Sequence, residues 1–136
     1  MRLSADFTFD AAHRLLGHKG EAGSLHDHTY TLEVTVSSEH SASAGALRNA
    51  EDLRALVKEA VLDRWDNATL LWSEDPLVTA IDRVEDQPPE KIVLLPETPT
   101  SEALTREAWQ AISQNLPPGV RLERLTIRET PACSSG

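Results

Sequence analysis

The sequence predicts a single α+β domain in which two helices cover one face of an antiparallel sheet. Three observations lead there. Two consecutive segments near the start alternate apolar and polar residues with the period of a strand, two later segments carry the spaced apolar stripe of a helix, and strand-like alternation returns near the end. A chain of 136 residues is long enough to bury a core without staples, so one domain over residues 1–136 is expected. Its hydrophobic share of 40% and charged share of 26% are those of a globular protein, which excludes wholesale disorder.

The first strand is read from Leu3, Ala5, Phe7, Phe9 and Ala11, apolar at every second position, and His13 continues that parity. A loop-like stretch with Gly17, Gly20 and Gly23 follows. The second strand then places His26, His28, Tyr30, Leu32, Val34 and Val36 on one face, with Asp27, Thr29, Thr31, Glu33 and Thr35 on the other. Asn49 is the expected N-cap of a helix whose buried stripe is Leu53, Leu56, Val57, Ala60 and Val61, ending near Asp63. Lys91 to Leu95 read as a minor strand closed by Pro96. Thr100 should cap a second helix through Leu104, Ala108 and Ile112 to about Asn115, with Pro117, Pro118 and Gly119 marking its end. Leu125 and Ile127 open the last alternation, and Glu129 shares their parity.

A formal charge of -9 opposes binding to phosphate backbones or anionic lipid, which argues against nucleic acid and membrane partners. The lone Cys133 excludes an internal disulfide, and no apolar run reaches the length of a signal peptide or membrane span. A cytoplasmic protein is expected.

Three of the five histidines, His13, His26 and His28, fall at strand parity near the ends of two consecutive strands. Consecutive strands usually pair. Paired, they would turn three imidazoles to one side, the donor set of a catalytic zinc with an open fourth position. An H-x-H pair is equally the pattern of two surface or core histidines, and the third histidine at matching parity is what favours a metal. Asp27, between the pair, should face away.

Four segments resemble the family of 6-pyruvoyltetrahydropterin synthase and 6-carboxytetrahydropterin synthase. Phe9-Asp10-Ala11-Ala12-His13-Arg14-Leu15 is similar to its first zinc-ligand strand, and Leu25-His26-Asp27-His28-Thr29-Tyr30 to its Leu-His-Gly-His-x-aromatic segment. Pro99-Thr100-Ser101-Glu102 resembles the start of its second helix, and Arg128-Glu129-Thr130 its terminal Glu-Thr. The resemblance implies the tunnelling fold, in which subunits join their sheets into a barrel, here as a homohexamer. It implies zinc on His13, His26 and His28, and a small-molecule substrate bound by Glu129, Thr130 and Ser101. Glu129 would accept the 2-amino and ring N–H donors of a pterin, as a carboxylate accepts paired N–H bonds. A surface ion pair of Glu129 with Arg128 or Arg124 is the alternative.

The pattern departs from the family at its proton-transfer groups. The catalytic cysteine, four residues before the first histidine of the pair, is replaced by Ala22, and the family's Asp-His pair reads Asp66-Asn67. Asparagine does not titrate in the useful range. The family's Gly-x-x-x-Asp-Phe segment is Gly45-Ala46-Leu47-Arg48-Asn49-Ala50. Each proton-transfer group contributes ~10²–10⁴-fold in rate, so the ordinary reaction is in doubt. Glu21, one residue from the missing cysteine, is the leading replacement base because a subset of the family uses a glutamate near that cysteine; His18 is second, and Asp66 is kept. The expected function is a diverged zinc-dependent lyase, aldolase or cyclase. The alternatives are a pterin synthase acting on dihydroneopterin or its triphosphate with Glu21 as base, and a non-catalytic binder of a pterin- or purine-like ring.

Overall fold

A computed structural model describes residues 1–15, 26–39, 47–78 and 91–131. Strand β1 (Arg2–His13) buries alternate residues, Ala5, Phe7, Phe9, Ala11 and His13, as its sequence alternation requires. It runs antiparallel to β2 (His26–Ser38), in a register from Arg2 opposite Ser37 to His13 opposite His26. Tyr30, Leu32, Val34 and Val36 are buried on the same face, while Asp27 is exposed.

Helix α1 (Ala50–Val57) starts where Asn49 accepts the Asp52 backbone N–H through its side chain at 2.9 Å, with Asp52 in turn accepting the Arg48 N–H at 2.8 Å. It continues through a π-helical turn, Lys58–Leu62, into α2 (Asp63–Trp65). The buried residues explain that turn. Leu53, Val57, Val61 and Trp65 recur every four residues. On an α-helix of about 3.6 residues per turn such a stripe would drift about 40° each turn away from the sheet, and one wider turn resets it. The helical run therefore passes the expected end at Asp63 to bring the Trp65 indole into the core.

Asn67, at φ 61°, turns the chain into β3 (Ala68–Trp72), a strand that the sequence alternation does not reveal. Strand β3 pairs parallel with β1, and β4 (Ile92–Leu95) pairs parallel with β3. Helix α3 (Ser101–Asn115) is capped by the Thr100 hydroxyl, which accepts the Ala103 N–H at 3.1 Å. Gly119, at φ 86°, then turns the chain into β5 (Val120–Pro131), antiparallel to β2. The sheet order is β4-β3-β1-β2-β5.

The sheet is thus mixed, which corrects the antiparallel sheet expected from sequence. The physical reason lies in α1 and α2. They carry the chain from the Ser38 end of the sheet towards Ala11, so β3 is delivered in the same direction as β1. The two-helix expectation holds in its essentials, because Leu53, Val57, Val61 and Trp65 join Leu104, Ala108 and Ile112 in one core cluster against the Phe7, Phe9, Leu32 and Val34 face.

A bulge interrupts β5. Arg124 lies opposite Thr35 and Leu122 opposite Val36, so Glu123 has no partner position on β2. Leu122 and Leu125 are consequently both buried despite their odd spacing. Among the described residues no helix is long and apolar enough to cross a membrane.

Candidate metal centre

Strand register brings the candidate residues together at one end of the sheet. His28 lies opposite Ala11 and Tyr30 opposite Phe9, while Tyr30 also lies opposite Glu129 on its other side. His13, His28, Tyr30 and Glu129 thus share the apolar face of three adjacent strands, at its end. One ligand atom each from His13, His28 and Glu129 lie within 4.8 Å of one another. Glu129 Oε1 is 2.9 Å from His28 Nε2 and 4.0 Å from His13 Nε2. The two imidazole rings meet edge to face with centroids 5.0 Å apart. Side-chain exposure climbs from 1% at His13 through 15% at His28 to 32% at Glu129, so the cluster is rooted in the core and opens outward at its carboxylate.

The two imidazole nitrogens are donors that suit zinc, and the Glu129 carboxylate beside them lies at the open side of the cluster, where it can face either a metal or a ligand. The register also sets the His26 backbone directly opposite His13. The His26 side chain lies outside the described residues, as do the proposed bases His18 and Glu21. Among the described residues the Glu129 carboxylate lies against the His28 and His13 imidazoles and not against Arg124 or Arg128.

The other predicted residues are placed differently. Asp66 does not join the cluster: its carboxylate accepts the Asp10 backbone N–H at 3.1 Å, and Lys91 Nζ donates to its carbonyl at 3.0 Å. Thr130 pairs with Thr29, at the parity opposite to Glu129, so its side chain belongs to the polar face of the sheet. Ser101 occupies the first turn of α3, where its carbonyl accepts the Thr105 hydroxyl at 2.7 Å. Because β1, β3 and β4 run parallel, the connection from Leu95 to Ser101 begins at the sheet end that holds His13.

Two contacts were not foreseen from sequence. The Tyr30 hydroxyl lies 2.7 Å from His13 Nδ1. Burial, and then the nearby Glu129 carboxylate, push the Tyr30 phenol above its ordinary value, so it stays neutral. Strand parity puts Tyr30 on the histidine face, but its reach to His13 depends on cross-strand register. Arg14, next after His13, pairs at 3.0 Å with Asp75, whose side chain is fully buried in the turn after β3. No spacing rule links those two positions.

Comparison with known proteins follows this geometry. The family model described as 6-pyruvoyl tetrahydropterin synthase matches residues 2–135. A 6-carboxy-5,6,7,8-tetrahydropterin synthase of Haemophilus influenzae is 39% identical over 70 residues, covering 49% of this chain and 50% of that protein, so this match spans about half of each. A protein of the same description from Rickettsia bellii is 26% identical over 127 residues, covering 92% of this chain and 91% of its own. Among solved structures, an uncharacterized protein from Wolinella succinogenes matches with a TM-score of 0.73 at 16% identity, over 97% of this chain and 94% of that one. A catalytic-residue mutant of Plasmodium vivax 6-pyruvoyltetrahydropterin synthase, a glutamate changed to alanine, matches with a TM-score of 0.59 at 15% identity, over 96% of this chain and 98% of that one. These two likenesses establish the fold.

Proposed function

Since the chain belongs to the 6-pyruvoyl tetrahydropterin synthase family, we propose that it is a zinc-dependent lyase, aldolase or cyclase acting on a small molecule that carries a hydroxyl or carbonyl group. The observation that carries this reading is the convergence of His13, His28 and Glu129 ligand atoms within 4.8 Å. His13, His26 and His28 would hold the metal. Bound zinc supplies a Lewis acid that polarises a carbonyl or acidifies a water.

The chain's own residues supply the rest. Glu129, at the open side of the cluster, faces an arriving substrate and accepts its N–H or O–H donors. Glu21, with His18 second, would accept the proton that the absent cysteine takes in relatives. Asp66 then acts on β1 by fixing the Asp10 amide, and contacts substrate only if a neighbouring subunit brings it to another chain's cluster. Thr130 and Ser101 complete the substrate pocket under the same condition. The protein is read as a cytoplasmic homohexamer without nucleic-acid or membrane partners.

A second reading, a pterin synthase that cleaves or rearranges the side chain of dihydroneopterin or its triphosphate, is favoured by the descriptions of its relatives. It is favoured also by the Plasmodium vivax enzyme, whose altered catalytic residue is a glutamate, as Glu21 would be. Both readings require about one zinc per chain in the purified protein. Elemental analysis after dialysis tests that, and His28→Ala is expected to abolish it. A metal-free protein that retained its full activity would overturn both. Incubation with dihydroneopterin and its triphosphate separates them: turnover selects the pterin synthase, while unchanged substrate at high enzyme concentration counts against it.

A further inference from the structure

A short hydrogen bond at the cluster belongs to a residue that the proposed chemistry does not use. Tyr30 is wholly buried, and its ring is fixed on one side by Phe9, stacked at 5.0 Å between centroids with 13° between planes. Between Tyr30 and His13, the intervening position on this face of β1 is Ala11, which contributes only a methyl group. The phenol therefore lies along the sheet, its ring edge to face with His13 at 6.0 Å and 72°. Its oxygen meets His13 Nδ1 at 2.7 Å.

A neutral imidazole carries a single N–H, on one nitrogen or the other. The nitrogen that binds a metal must offer its lone pair, so the other must hold the proton. For His13 the nitrogen turned to the cluster is Nε2, 4.0 Å from Glu129, while Nδ1 faces the phenol. A buried N–H without an acceptor is destabilising, because it has given up water and gained no partner. We infer that Tyr30 is the positioning residue of the metal site: its oxygen accepts the Nδ1 proton of His13, fixing the tautomer and ring plane that commit Nε2 to ligation. Ligating histidines commonly donate their second N–H to a carboxylate or backbone carbonyl, and here a phenol takes that place. This inference rests on the zinc reading above.

The test is Tyr30→Phe, which removes one oxygen and keeps the ring. Zinc affinity, measured by competition with a chromophoric chelator, should fall about 10- to 100-fold, while the melting temperature of the metal-free variant stays close to that of the metal-free parent. Imidazole nitrogen NMR with isotope-labelled histidine should show His13 protonated at Nδ1 in the zinc-loaded parent and that Nδ1–H resonance displaced in zinc-loaded Tyr30→Phe, a change that a purely packing role would not produce. Unchanged zinc affinity in the variant, or a proton on His13 Nε2 in the loaded parent, would overturn the inference and leave the zinc reading standing. Failure of the parent protein to bind zinc would sink both.

Discussion

Arg14 follows the innermost histidine directly, so its pairing matters beyond its own position. Its partner Asp75 is fully shielded, whereas Arg14 keeps a quarter of its side chain in solvent. Replacing one member of a buried pair strands the other's charge, at a cost of about 3–5 kcal/mol. Arg14→Met should lower stability by about 3 kcal/mol, the smaller end because Arg14 is partly exposed. The double variant Arg14→Met with Asp75→Leu should recover most of that loss, and urea denaturation of both proteins checks it. Asn67 shows how a residue can be legible in one respect and opaque in another. The alignment of Asp66-Asn67 with an Asp-His pair registers a lost titrating group. It gives no hint that the position has φ 61°, a conformation in which asparagine is among the best tolerated residues. Its backbone N–H donates to the Asp10 carbonyl at 2.6 Å, so the local fold supplies its own reason for that side chain.

At the scale of elements, the N-termini of both predicted helices were legible because caps are local chemistry. Asn49 and Thr100 each accept the backbone N–H three residues on, as their positions in the sequence imply. Thr100→Ala should cost about 1 kcal/mol through the orphaned Ala103 N–H, read as a lower midpoint in thermal unfolding. Strands β1 and β2 were legible because each has one face in the core and one outside. Strand β3 was not. Leu70 and Leu71 are consecutive and both fully buried, so neither face of this strand is left polar and the period-two signal vanishes. The π-turn escaped for another reason, since a four-residue recurrence looks like an ordinary helical stripe until its drift is counted. At the candidate site, Glu129 was legible from parity with Leu125 and Ile127, whereas the Tyr30 contact required knowing how β1 and β2 align.

For the whole molecule, the sheet order leaves two outer strands of unequal length. β4 has 4 residues and β5 has 12. A strand as long as β5 with one row of backbone donors and acceptors unpaired among the described residues invites another strand. Sedimentation equilibrium should therefore return a multiple of the 15.0 kDa chain mass, six by the proposed assembly. A monomer at micromolar concentration would count against that assembly. The interrupted pairing of β5 has one last consequence. Without Glu123 the remaining residues, Leu122, Arg124, Leu125, Thr126 and Ile127, would alternate inward and outward without a break. Descendants of this chain could thus shed a codon there while Glu129 keeps its address beside His28. The same loss a few residues later, between Leu125 and Glu129, would turn the carboxylate to the opposite surface.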